Sequence, residues 1–404
     1  MTKFINRFKY VKPNDILHIF IFLFALPISV IFRLLHKDMW LICDDGNDAR
    51  DNGYWLFKYI RENHPEIDCV YAIKKNSPDY ERVKILGKVI AYGTFLHWIY
   101  YLAASKNISS QKFGKPNAAL CFFLEISGLL KNRRVFLQHG IIKDDIKTFY
   151  SEVCKFSIFV TSTKREHEYV EHQYGYTGKN IVKLCGLCRF DNLYNYKSVY
   201  KPNQILLMPT WRDWIARPVS SSYKYDDVSD FTKTEYFKVY QSLIFNKRLQ
   251  KLLQEYNMTL VFYPHKHMQK FLYHFNTDCK NIILADWHEY DVQKLLMESA
   301  LLITDYSSVA FDFAYMKKPL LYYQFDLEKL RERHYQQGYF SYEKDGFGEI
   351  CNTEEVLLEK LEVYFKNSCT LLDVYKHRIE DFFTFYDNKN CERNFDAIKD
   401  LVNT

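Results

Sequence analysis

The sequence predicts an α/β protein: two doubly wound domains facing a cleft, preceded by a membrane-associated helix. Three observations carry this expectation. Short apolar runs alternate with amphipathic stretches along most of the 404 residues, the pattern of βα units in a parallel sheet. A polar stretch at residues 194–203 divides the alternation into two series. Ahead of the first series lies an almost uncharged run, residues 16–32, with basic residues on either side.

Lys3, Arg7, Lys9 and Lys12 precede that run, and Arg33, His36 and Lys37 close it. Its roughly 17 residues reach about 25 Å as a helix, short of a hydrocarbon core of about 30 Å. His18 and Pro27 also weigh against a straight span. No small-residue cleavage motif follows, so residues 1–37 read as an uncleaved membrane segment, either spanning or lying in the interface. The basic flank suits the anionic cytoplasmic leaflet, which puts the protein on the cytoplasmic face of the cell membrane.

The first βα series begins with a strand at 40–43, after which Asp51-Asn52 caps a helix carrying Trp55, Leu56, Tyr59 and Ile60 on one face. Strands at 69–73 and 89–92, a helix at 95–105, the run Ile108-Ser109-Ser110 and a strand at 135–138 follow. The second series has strands at 205–208, 259–263, 282–284, 301–304 and 320–323, with helices at 235–256, 292–299 and 309–316 between them. The expected domains are therefore Rossmann-like units at 38–200 and 201–404.

Composition narrows the function. Hydrophobic residues at 48% and charged residues at 26% are globular values, and a net charge of +6 spread over 55 basic and 49 acidic residues does not make a nucleic-acid binder. Ten cysteines without a paired framework, in a chain this large, read as reduced thiols. Cys185 and Cys188 are the one close pair, and with no second pair at suitable spacing no metal is expected. The sequence has no GxxxxGK[ST] loop, no GxGxxG after a strand, no kinase catalytic loop and no Asp-x-Asp pair. These absences set aside P-loop enzymes, dinucleotide oxidoreductases and kinases.

Ligands of open parallel sheets bind beyond the carboxyl ends of the strands. The strand at 301–304 runs through Thr304-Asp305-Tyr306 into Ser307-Ser308. These serines either cap a helix or present N–H and hydroxyl groups to a phosphate. His139-Gly140 leaves another strand, where an imidazole is suited to removing a proton from a hydroxyl, and Lys143 is suited to neutralising phosphate. Arg212 offers a planar fork to phosphate with Asp213 to hold it, or else the two form a surface ion pair. Tyr263-Pro264-His265-Lys266-His267 reads as a phosphate or leaving-group contact, or as a solvated loop.

In this order, the loops resemble the CDP-glycerol glycerophosphotransferase family. The matching residues are His139-Gly140 with Lys143, Gly186-Leu187 with Arg189-Phe190-Asp191, Pro209-Thr210-Trp211-Arg212-Asp213 and Pro264-His265. Further on, the match runs through Ile303-Thr304-Asp305-Tyr306-Ser307-Ser308-Val309, Phe311-Asp312-Phe313-Ala314, Lys318-Pro319 and Asp326-Leu327-Glu328. The resemblance implies a GT-B-like fold and transfer of a polyol phosphate from CDP-glycerol or another CDP-polyol to a lipid-linked or polymeric acceptor, with release of CMP and without a cofactor. It implies His139 as base, His265 at the phosphates or leaving group, and Ser307 and Ser308 on the donor pyrophosphate with Arg212 beside them. Gln138, Ile141-Ile142 and Cys188 depart from the family pattern, mostly on the acceptor side, so teichoic acid and capsular polysaccharide both stay open as acceptors. The rival readings are a glycosyltransferase using a nucleotide sugar and a non-catalytic nucleotide-binding partner in a membrane assembly.

Overall fold

A computed structural model describes residues 13–130, 133–216, 230–333 and 336–401. The basic residues Lys3, Arg7, Lys9 and Lys12 lie outside that range. The chain forms two compact units. The first comprises Met1–Ile141, Lys147–Asp191 and Asp387–Thr404, and the second Ile142–Ile146 and Asn192–Tyr386.

In the first unit, β1 (Trp40–Ile42), β2 (Cys69–Ile73), β3 (Val89–Ala91), β4 (Lys106–Ser109) and β5 (Arg133–Phe136) are joined by β7 (Ile158–Thr161) and β8 (Val182–Leu184). The two-residue β6 (Asp144–Asp145) belongs to the second unit. The seven strands run parallel in the order β3-β2-β1-β4-β5-β7-β8. All five residues of β2 are buried. Helices cover both faces of such a sheet, so its strands are apolar without alternation.

The second unit repeats the plan with β9 (Gln204–Leu207), β10 (Thr259–Phe262), β11 (Ile282–Leu284), β12 (Leu301–Thr304), β13 (Leu320–Tyr323) and β15 (Gly348–Cys351), all parallel, in the order β11-β10-β9-β12-β13-β15. A short antiparallel ladder pairs β14 (Gln336–Gln337) with β6. In each sheet the order reverses beside the first strand, between β1 and β4 and between β9 and β12. That reversal opens a crevice at the carboxyl ends of the strands.

The doubly wound expectation holds for both units; the sheets add β7, β8 and β15 to the expected strands, β5 starts two residues earlier than expected, and two further details differ. The helix expected at 235–256 is two helices, Glu235–Phe245 and Lys247–Glu255. Asn246 breaks it by turning its side chain to accept hydrogen bonds from the N–H groups of Arg248 (2.9 Å) and Leu249 (3.1 Å), capping the second helix. The other difference is the boundary: the helix Asn390–Lys399 belongs to the first unit and not to 201–404. Its Cys391, Phe395 and Ile398 fill the core around Trp40, Leu56 and Ile60, where each buried aromatic or aliphatic side chain contributes about 1.5–3 kcal/mol.

This return is closely fitted. Gly186 adopts φ +82°, and a Cβ there would lie 1.8 Å from Asn390 Oδ1, so a glycine is required. Asp191 accepts from the backbone N–H groups of Asn390 and Cys391, both at 2.8 Å, and Arg393 Nε donates to the Cys185 carbonyl at 2.9 Å.

The apolar N-terminal run is a helix, Pro13–Leu35, long and apolar enough to cross a membrane by length and composition. One face packs on the helix Phe95–Ala103 of the first unit. There Trp98 Nε1 donates to His18 Nδ1 at 2.9 Å, and the Trp98 ring meets Phe22 edge-on at 5.4 Å. Asn117 Nδ2 also reaches Asp15 Oδ1 at 2.7 Å. The opposite face exposes Phe20, Leu23, Phe24, Ile31 and Leu34.

Candidate active site

At the β1/β4 crevice of the first unit the chain assembles a histidine–carboxylate pair. His139 follows β5, and its imidazole is 61% exposed. Its Nδ1 meets Oδ2 of Asp51, a side chain only 10% exposed. Asp51 is also the N-cap of the helix Asn52–Asn63, where its carboxylate accepts the Asn52 N–H at 2.8 Å. Arg189, from the loop after β8, donates to Asp51 Oδ1 at 2.9 Å and to the His139 carbonyl. Gln111 Nε2, just beyond β4, lies 3.1 Å from Asp51 Oδ2 and 2.7 Å from His139 Nδ1.

The electrostatics follow from this geometry. Burial pushes the Asp51 carboxyl up, but the charge and hydrogen bond of His139, the Arg189 guanidinium and the Asn52 N–H together bring it below its ordinary value, so it is ionised. Asp44, behind it, is 2% exposed and accepts from Ser110 N and Tyr71 Oη, both at 2.9 Å. Burial, followed by the charge of Asp51, raises the Asp44 carboxyl to about 7.

The residue before the histidine is strained. Gln138 has φ +65°, a left-handed conformation that costs a non-glycine residue about 1 kcal/mol or more. It is held there by Asn52 Nδ2 on its carbonyl (2.7 Å) and by its own amide on the Val160 carbonyl (2.6 Å) and Glu166 Oε1 (3.0 Å).

In the second unit the loops after β9, β12 and β13 meet around Arg212. Its side chain is fully buried, with Nε and Nη2 on the two oxygens of Asp326 (2.7 and 2.9 Å) and Nη1 on Asp305 Oδ2 and the Thr210 carbonyl, both at 2.9 Å. Burial favours loss of the Arg212 proton, but the two carboxylates outweigh it and keep the guanidinium charged. Asp305 Oδ1 also accepts from the N–H groups of Thr210 (2.8 Å) and Tyr306 (2.6 Å). The β9 and β12 loops are thus joined through one carboxylate.

Beside this node stands His265, the N-cap of the 3-10 helix Lys266–His274. Its N–H donates to the Pro209 carbonyl at 3.2 Å, and its Nδ1 accepts from the His267 N–H at 3.2 Å. The neutral ring therefore carries its proton on Nε2. Trp211 packs against both imidazoles, with centroids 6.4 Å from His265 and 5.3 Å from His267. Ser307 is buried, and Ser308 opens the helix Val309–Tyr315 without a side-chain cap bond.

Several residues expected at the ligand are engaged by groups of the fold itself. Arg212 is held by Asp305 and Asp326 rather than by Asp213, and its fork is already filled with carboxylate oxygens. Thr304 donates its hydroxyl to the Met208 carbonyl at 2.8 Å, tying β12 to β9. Lys143 belongs to the second unit and is buried, with its ammonium on Asp144, which Arg331 also holds at 2.6 Å. From the sequence alone, Asp51 and Gln111 have no place at either site, and Asp305 and Asp326 stand only as members of the matching blocks, without their partner Arg212. A helix-cap signal was visible at Asp51, but nothing in the local sequence tied it to a histidine 88 residues away.

The family model for CDP-glycerol:poly(glycerophosphate) glycerophosphotransferase matches residues 25–400. Minor teichoic acid biosynthesis protein GgaB of Bacillus subtilis (strain 168) is 34% identical over 386 residues, which take in 94% of this chain and 42% of GgaB. A teichoic acid poly(glycerol phosphate) polymerase of Bacillus spizizenii (strain ATCC 23059 / NRRL B-14472 / W23) is 32% identical over 364 residues, covering 82% of this chain and 86% of that protein. Among solved structures, the wall teichoic acid polymerase TagF has the same fold, with a TM-score of 0.62 at 17% identity over 91% of this chain and 90% of that one. The chain spans less than half the length of GgaB, and 42% of a second B. subtilis relative, a teichoic acid poly(glycerol phosphate) polymerase.

Proposed function

Since the chain belongs to the CDP-glycerol:poly(glycerophosphate) glycerophosphotransferase family, we propose that it transfers glycerol phosphate, or a related polyol phosphate, from a CDP-activated donor to a membrane-linked surface polymer. The acceptor is a teichoic acid or a capsular polysaccharide. An acceptor hydroxyl oxygen attacks the phosphorus bearing the polyol, the bond from that phosphorus to the bridging oxygen breaks, and CMP leaves. His139 takes the hydroxyl proton. His265, protonated on Nε2, donates to the diphosphate together with Ser307 and Ser308, where negative charge builds on the leaving oxygen. Arg212 serves the same site from behind, by fixing the loops that carry these groups.

One observation carries this reading: an exposed imidazole at a strand tip, backed by a buried, ionised carboxylate. A general base so placed contributes about 10²–10⁴-fold to rate. The direct test is incubation of the purified protein with CDP-glycerol and CDP-ribitol, a polymer acceptor and a phosphorus label. CMP should appear while labelled phosphate enters the polymer, and His265→Ala should slow this by roughly 100-fold or more. Release of a nucleoside diphosphate with a sugar in the product would replace the reading with sugar transfer.

We further propose that the Pro13–Leu35 helix lies on the cytoplasmic membrane surface, with its packed face toward the first unit and its apolar face in lipid. Phe24 and Leu34, 71% and 69% exposed, support this, since burying such side chains in lipid is favourable. Replacing both by glutamate should abolish co-sedimentation with anionic vesicles. Undiminished sedimentation would remove the helix from the membrane contact.

A further inference from the structure

Resting on the reading of His139 as the acceptor base, we propose that Asp51 is its positioning residue, fixing the ring's tautomer and stabilising the imidazolium formed when the acceptor proton arrives. The geometry separates this role from helix capping, because the two carboxylate oxygens have different partners. Arg189 engages Oδ1 at 2.9 Å, and the Asn52 N–H meets the same oxygen at 2.8 Å. Oδ2 faces His139 Nδ1 and the Gln111 amide. A carboxylate only accepts hydrogen bonds, so the hydrogen between Oδ2 and Nδ1 belongs to the ring, and the neutral imidazole keeps its lone pair on Nε2. With Nδ1 protonated, the Gln111 N–H serves Oδ2.

Three segments converge to hold this arrangement. Asn52, fully buried, donates to the Gln138 carbonyl at 2.7 Å and accepts the Arg189 N–H at 3.0 Å. Arg189 reaches the His139 carbonyl as well as Asp51. The backbone on either side of the ring's Cα is therefore clamped, the Gln138 carbonyl by Asn52 of the helix start that supplies the carboxylate and the His139 carbonyl by Arg189. Arg189 and Asp44 are the charged groups packed about Asp51. In the reaction the hydroxyl proton passes to Nε2 as the new P–O bond forms and the bond to CMP breaks. The imidazolium then shares its Nδ1 hydrogen with Asp51, which stays ionised.

Asp51→Asn is the informative variant. Asparagine caps helices as well as aspartate does, so the helix is retained. The N–H groups of Asn52 and Arg189 demand an acceptor on the Oδ1 side, which turns the new amide NH₂ toward Nδ1 and drives the ring proton to Nε2. Turnover should fall roughly 10²–10⁴-fold, with KM for CDP-glycerol unchanged and the melting temperature lowered, because the buried Arg189 loses its carboxylate partner. The acid limb of the kcat/KM pH profile should move to lower pH, because the carboxylate charge no longer favours the imidazolium. Asp51→Glu, which keeps the charge, should recover part of the rate. Asp51→Asn combined with His139→Ala should be no slower than His139→Ala alone.

Wild-type turnover in Asp51→Asn beside an inactive His139→Ala would overturn the positioning role and leave the base intact. A double variant slower by the product of the two single effects would overturn it as well. Should Asp51→Asn fail to fold, Asp51→Ser, which also caps a helix, decides: reduced turnover with the acid limb moved to lower pH supports the role, and wild-type turnover and profile overturn it. Full activity in His139→Ala would instead sink the reading on which the proposal rests.

Discussion

The two crevices have the same topology and use it in opposite ways. At β1/β4 the charged constellation ends in an exposed imidazole, and its buried members, Asp51, Asn52 and Arg189, lie behind it. At β9/β12 the charges themselves are sealed: Arg212 and Asp305 are both fully buried, Asp326 nearly so, and the half-buried His265 is hung on Pro209 beside them. The same strand order thus presents an exposed imidazole in one unit and a sealed ion-pair node in the other. A buried, charge-satisfied node fixes loops tightly because removing any member strands the rest.

The largest test of this contrast is Arg212→Met. It leaves Asp305 and Asp326 buried without their cation, and should cost about 3–5 kcal/mol of stability, read as a lower urea midpoint. His139→Ala should move that midpoint by no more than about 0.5 kcal/mol. An Arg212→Met protein of wild-type stability that has lost only donor affinity would make Arg212 a ligand group and erase the distinction.

A smaller effect is expected from Asp44→Asn. The Asp44 carboxyl is raised to about 7 in the folded chain from an ordinary 3.8, so between those values the folded state holds a proton that the unfolded state has lost. Stability from this group therefore falls as pH rises from about 4 to 7 and stays low above that window. Asp44→Asn removes the slope and should gain about 1–3 kcal/mol over wild type at pH 8, with little difference at pH 4. Urea unfolding at the two pH values reads this directly. Parallel curves would place the Asp44 charge elsewhere than against Asp51.

Much of the scaffold was legible because periodicity is local. The strands at 69–73, 282–284, 301–304 and 320–323 have the limits their apolar runs suggest, and His139 and His265 stand at strand tips. Charge pairing was not legible, because it is a property of the folded sheet. Arg212 has an aspartate next to it in sequence, yet its bidentate partner Asp326 is 114 residues on. Lys143, four residues from a candidate base, belongs to the other unit and pairs with Asp144. The break at Asn246 was readable as a cap signal only once the helix around it was known to bend away. The return of Asn390–Lys399 left no local mark except Gly186, whose missing side chain makes room for Asn390.

That return has a consequence for how the molecule is made. A ribosome releases β1 to β8 long before it releases Phe395 and Ile398, which complete the core around Trp40. During that interval the whole second unit is synthesised while the first still exposes an unfinished apolar surface. The first unit is therefore begun before the second and completed after it, and a nascent chain stalled before residue 390 would carry an open first unit that exposes apolar surface while the second is already free to fold.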